Sequence, residues 1–171
     1  MYVLTLELIV SIFVTQNLKN TTMAIQDDIK QGKFKSVHNK LIVNLMYTNN
    51  WLCNSQHKVL KPYGLTIQQY NVLRILRGQY PKPVRINDII DRMLDKMSNA
   101  SRLVDKLLQK ELVARTECSA DRRAVDVVIT QSGLGLLAQL DKKQTQWEKM
   151  FHSLDEAESE QLSNLLDKMR G

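Results

Sequence analysis

The stretch from Arg85 to Gly135 limits the fold more than any other part of the chain, because its hydrophobic period switches part-way along from helical to extended. Ile86, Ile89, Ile90 and Met93 recur at spacings of three and four and define a short helix, with Leu94 and Asp95 making the turn after it. Asp95 is positioned to cap a second helix, with Ser98 three residues further on. Along that helix Met97, Ala100, Leu103, Val104, Leu107 and Leu108 share one face, and Ser98, Asn99, Ser101, Arg102, Asp105, Lys106 and Gln109 share the other. Residues Leu112 to Cys118 and Ala124 to Thr130 are rich in Val, Ile and Thr and read as two strands. Only Ser119-Ala120-Asp121-Arg122-Arg123 separates them, so the economical connection is a hairpin tipped with arginines.

Helices flank this core on both sides. Leu41, Leu45, Leu52 and Val59, with Ile42, Met46 and Leu60 beside them, predict one long helix from Ser36 to Lys61 with a buried stripe, ended by Pro62-Tyr63-Gly64. Thr66 is the expected N-cap of a helix running to about Tyr80 on an apolar face of Tyr70, Val72, Leu73, Ile75 and Leu76, and Pro81-Lys82-Pro83 breaks it. After the hairpin, Thr130 or Ser132 caps a long helix carrying Leu136, Leu137, Leu140, Trp147, Met150, Phe151 and Leu154, and Leu162, Leu165, Leu166 and Met169 mark a last one. The fold class is therefore mainly α with a small β-hairpin (α+β): a winged helix-turn-helix flanked by N- and C-terminal helices.

With 171 residues, 43% hydrophobic and 25% charged, the chain has the makings of one globular domain. A net charge of +6 permits a polyanionic partner, and the placement of the charge is more telling than its sum. No acidic residue occurs from Ile29 to Asn87, whereas Asp155, Glu156, Glu158 and Glu160 crowd together near the C-terminus. Cys53 and Cys118 have no second Cys or His at ligand spacing, which excludes a zinc framework and a disulfide scaffold and suits a reducing cytoplasm. Residues Met1 to Val14 are apolar, but Glu7 interrupts them and they fall short of the roughly 20 residues that cross a bilayer. No membrane association is expected, and Met23 offers an alternative start. A phosphate loop, a nucleophile elbow and a His/Glu metal pair are all missing, and His38, His57 and His152 are scattered, so neither an enzyme, a metal nor a cofactor is indicated.

Small and hydrogen-bonding residues on the outer face of the second helix suit a major groove. Asn pairs bidentately with adenine and Arg with guanine, while Ser reaches base edges or phosphate, so Ser98, Asn99, Ser101 and Arg102, with Lys106, are the candidate contacts to double-stranded DNA. Such a face is also what any solvated surface helix shows; the hairpin directly after it tips the balance. Arg122 and Arg123 at a tight ribbon tip fit the negative potential of a narrow minor groove, with Asp121 holding one arginine extended through a bidentate pair.

Three motifs carry a resemblance to the MarR-type transcriptional regulators. They are Gly64-Leu65-Thr66 followed by Gln69-Tyr70-Asn71-Val72-Leu73; Ser101-Arg102-Leu103-Val104-Asp105-Lys106-Leu107; and the run from Asp121 to Thr130 with Gly133 and Leu136-Leu137 after it. The resemblance spans about Ser36 to Gly171. It implies an extension at 1–35, dimerisation helices at 36–62 and 131–171, and a winged DNA-binding region at 63–130. It further implies a homodimer with interlocking terminal helices on a pseudo-palindromic operator, Asp121 and Arg123 as the wing pair, and repression relieved by a small-molecule effector. Trp51, His57, Tyr63, Tyr70 and Trp147 are candidate walls for that effector, each with an equally good role in packing. The surplus of large apolar residues in the terminal helices argues for the dimer independently. The competing function is a winged-helix protein-interaction module or membrane-associated adaptor without specific DNA binding.

Overall fold

The computed structural model describes residues 24–117 and 125–171. Two compact units divide the chain, with the boundary after Asn50. The first holds the single-turn helix α1 (Ile25–Asp28) and the start of α2 (Val37–Leu60). Ser36 opens α2 by accepting the Asn39 N–H at 3.1 Å.

The second unit holds the hydrophobic core. Helix α2 runs into a 3-10 turn (Lys61–Tyr63), and Gly64 ends that turn in the left-handed region at φ 64°. Lys110 Nζ donates to the Gly64 carbonyl and so ties this corner to the far side of the unit. Helix α3 (Ile67–Arg77) opens with the expected Thr66 cap, which is a reciprocal capping box: Thr66 Oγ1 accepts the Gln69 N–H, and Gln69 Oε1 accepts the Thr66 N–H. The box also gives the side-chain oxygen of the buried Gln69 a hydrogen-bond partner. Helix α3 stops at Arg77 rather than Tyr80; Gly78 caps it, and the following residues form turns.

Strand β1 (Val84–Arg85), helix α4 (Ile86–Arg92), helix α5 (Ala100–Leu108), and strands β2 (Val113–Glu117) and β3 (Val125–Ile129) follow. The sheet is antiparallel throughout in the order β1-β3-β2, with Val113 opposite Ile129, Glu117 opposite Val125 and Val84 opposite Val127. The hairpin is as expected, but β1 was not foreseen: two residues between Pro83 and Ile86 are too short for a period to show. Thr130 caps α6 (Gln131–Glu148) by accepting the Gly133 N–H at 3.1 Å. Where one helix was expected to carry residues up to Leu154, α6 gives way to a 3-10 turn (Lys149–Phe151), and α7 (Glu156–Arg170) opens on a second capping box between Asp155 and Glu158. Val72, Leu73, Leu76, Ile89, Val104, Leu107, Val127, Ile129 and Leu137 form the centre of the core, drawn from α3 to α6 and the sheet.

The expected buried stripe of α2 is a correction. Leu41, Ile42 and Met46 are exposed, and Leu60 is the one residue of this helix among the buried ones. Leu162, Leu165 and Met169 of α7 are likewise exposed.

Candidate nucleic-acid interface

Helix α5 buries Ala100, Val104 and Leu107, a spacing of four and three that leaves Ser101, Arg102, Asp105 and Lys106 exposed on the other side. The cap is not where the sequence suggested. Asn99 is the N-cap, its Oδ1 accepting the Arg102 N–H at 3.0 Å, and Asp95 lies four residues before it. That bond commits the acceptor half of the amide, which a bidentate pair with adenine would need. Asp95 instead clamps the preceding turn: Oδ1 accepts the Met97 N–H at 3.1 Å and Oδ2 accepts the Ser98 hydroxyl at 2.6 Å. The Ser98 hydroxyl, followed by the Met97 N–H, holds the Asp95 carboxyl below its ordinary value. A depressed folded value means the clamp is fully set above the ordinary carboxylate range and is lost only as pH falls through the lowered value.

Because α5 begins at Ala100, Met97 is outside the helical phase and does not join the inner face as expected; it is 95% exposed. Ser98 is half-buried with its hydroxyl donated to Asp95. The outward face therefore narrows to Ser101, Arg102 and Lys106.

Asp105 would place a negative charge on that face, but it is paired with Arg115 of β2. Both partners are about half exposed, so the pair contributes little to stability. Its consequence is electrostatic: it offsets the carboxylate beside Arg102 and Lys106 and ties the helix to the base of the hairpin. Sequence reasoning missed Arg115, because strand alternation puts it on the same face as the buried Val113 and so gave no sign that it is exposed. The expected tip contacts Asp121, Arg122 and Arg123 lie outside the described residues.

Three of the five candidate effector residues line cavities in the second unit. Tyr63 and Trp147 face an open groove of about 610 Å³ with Lys58, Lys143 and Met150. Tyr70 and Trp147 border a smaller cavity of about 40 Å³ with Arg74, whose guanidinium stands 5.8 Å above the Tyr70 ring. Trp51 meets Phe151 edge-on at 6.2 Å, and Phe151 meets Trp147 at 5.7 Å, an aromatic chain in which Phe151 was read only as packing. His57 is exposed and borders neither of these two cavities. The Trp147 indole N–H is buried without a hydrogen-bond partner among the described residues.

The comparisons with known proteins agree with this geometry. The model of the MarR family matches residues 65–125, the span from the α3 cap through the first residue of β3. The regulator MhqR of Bacillus subtilis is 28% identical over 131 residues, covering 76% of this chain and 89% of that protein. A solved MarR transcription factor from Planctomyces limnophilus superposes with a TM-score of 0.62 at 28% identity, covering 81% of this chain and 98% of that one. The fold is shared further with BpsR of Bordetella bronchiseptica, at a TM-score of 0.65 and 23% identity, over 77% of this chain and 99% of that one. MhqR is a transcriptional regulator and the Planctomyces limnophilus protein a transcription factor. A helix-turn-helix followed by a hairpin, with a polar outer face on the second helix and these likenesses in sequence and fold, makes this chain similar to the MarR family of winged-helix, DNA-binding transcriptional regulators.

Proposed function

We propose that this regulator acts as a homodimer that reads a pseudo-palindromic operator through α5 and the wing and leaves it when a small organic effector binds. The observation that carries the DNA reading is the exposed Ser101, Arg102 and Lys106 face of a helix whose other side is locked into the core. Arg102 is the group suited to a guanine edge, Ser101 to a base edge or phosphate, and Lys106 to phosphate. Arg122 and Arg123 would supply minor-groove contacts from the tip, with Asp121 as the orienting partner. The apolar side chains exposed on α2 and those exposed on α7 support dimerisation, since a second copy would cover them. Two-fold symmetry would then set the reading helices roughly 34–36 Å apart on the duplex.

The groove beside Trp147 supports the effector reading. Its volume is in the range of small-molecule sites, its walls are aromatic and apolar, and Lys58 and Lys143 favour a ligand with an anionic group. Repression, with release by the effector, is the matching regulatory sense.

Titration onto a random-sequence duplex tests the DNA reading. With about 6–10 phosphate contacts, affinity falls by roughly 10³–10⁵ between 50 and 200 mM salt. Binding that ignores salt, or no binding at 50 mM, would overturn it. Sedimentation of the protein alone tests the dimer: the expected species has twice the mass of one chain.

A further inference from the structure

The turn before α5 holds its apolar side chains out in solvent. Leu94 is 88% exposed and Met97 is 95% exposed, the two largest exposures among the described large hydrophobic residues. The backbone beneath them is fastened. The Leu94 N–H donates to Asn71 Oδ1 at 3.1 Å, and Asp95 accepts both the Met97 N–H and the Ser98 hydroxyl. A slack turn would let these side chains fold back onto the core; this one is pinned on both sides of Asp95 with Met97 displayed two residues before the Asn99 cap.

What covers Met97 follows from its neighbours. Arg92, Lys96, Arg102 and Lys106 are exposed around it in sequence, as is Asp91, while Asp95 is engaged in the turn and Asp105 is paired with Arg115. Such a setting suits a polyanion, and Met97 lies in the turn that leads into the helix carrying Ser101 and Arg102. The one apolar group that the base pairs present along a major groove is the 5-methyl of thymine. A methionine, unbranched and polarizable, adapts readily to such a small apolar target.

We propose that Met97 is a specificity-determining residue that packs on the thymine 5-methyl of one base pair in each half-site. The inference rests on the DNA-binding reading above and adds a base preference that the polar residues of α5 do not provide.

The test uses the full-length chain and duplexes that it selects itself from a random pool. Each thymine of the selected sequence is replaced singly by deoxyuridine, which keeps every hydrogen-bonding group and removes the methyl. At one position per half-site the replacement should weaken wild-type binding by about four-fold, the factor that goes with one buried carbon. In Met97→Ala the same replacement should cost nothing, while affinity for random duplex and the far-ultraviolet circular dichroism stay at wild-type levels. If Met97→Ala discriminates thymine from deoxyuridine as strongly as the wild type, or if no replacement matters, the inference is wrong and the DNA reading stands. If the wild-type chain selects no sequence at all, both fall. Loss of binding to phosphatidylglycerol vesicles in Met97→Ala, with DNA binding intact, would assign the residue to a membrane surface instead and overturn the proposal.

Discussion

Glu111 holds φ 57°, a left-handed backbone that a side chain with a Cβ adopts at a cost of roughly 1–2 kcal/mol. The position is fixed from both sides, because the Glu111 N–H donates to the Leu108 carbonyl and its own carbonyl accepts the Thr130 hydroxyl at 2.7 Å. Glu111→Gly should relieve that cost and give back part of it through the looser unfolded chain, for a net gain of about 0.5–1 kcal/mol in urea unfolding. A loss of stability would show that the Glu111 side chain contributes more than its backbone costs. The same scale shows where single residues could be read in advance. Thr66 was legible as a cap because it stands alone before an apolar run, and it caps as expected; of the two candidates Thr130 and Ser132, Thr130 is the cap. Asp95 and Asn99 were not separable, since both are good caps four residues apart in one polar stretch; the choice depends on the turn that Asn71 holds from another helix, which no local pattern encodes. Met97 was misassigned through that same choice, because starting the helix too early extended its apolar phase backwards.

At the scale of elements, the helix-turn-helix and the hairpin were legible because each carries its own hydrophobic period, and the core confirms the inner residues Ala100, Val104 and Leu107. Strand β1 was not, since its place is set by pairing with β3 and not by its own two residues. The first turn of α6 shows how tightly these elements meet. A Cβ on Gly133 would stand 2.3 Å from the Leu112 carbonyl oxygen and 2.7 Å from Ile129 Cγ1. Neither neighbour yields easily, one being backbone that accepts the Thr130 N–H and the other a buried branched side chain. Gly133→Ala should therefore push α6 off the sheet and cost about 1–3 kcal/mol, seen as a lower denaturation midpoint with an unchanged slope. An unchanged midpoint would mean that the contact gives way more freely than its atoms suggest. Helix α6 is also held to α3 by a two-pronged ion pair of Arg77 with Asp141, at 2.6 and 3.2 Å, which its helix-to-helix separation in sequence kept hidden.

At the scale of the whole molecule, the sequence pointed to two properties that a single chain does not resolve by itself. One is the run of apolar residues in the terminal helices, several of which are exposed in the single chain; periodicity could say that one face of α2 is apolar, but not whether the chain itself covers it. The other is the uneven charge, with no acid from Ile29 to Asn87 and an acidic cluster near the C-terminus, which belongs to a protein that offers one region to a polyanion. The central claim is that the outward face of α5 reads base pairs and does not merely touch phosphate. Arg102→Ala tests this most directly, through affinities for a selected duplex and for a random one measured at the same salt concentration. The account predicts a loss of about 1–3 kcal/mol on the selected duplex and a much smaller loss on the random one. Equal losses on the two duplexes would make Arg102 a phosphate contact and contradict the account.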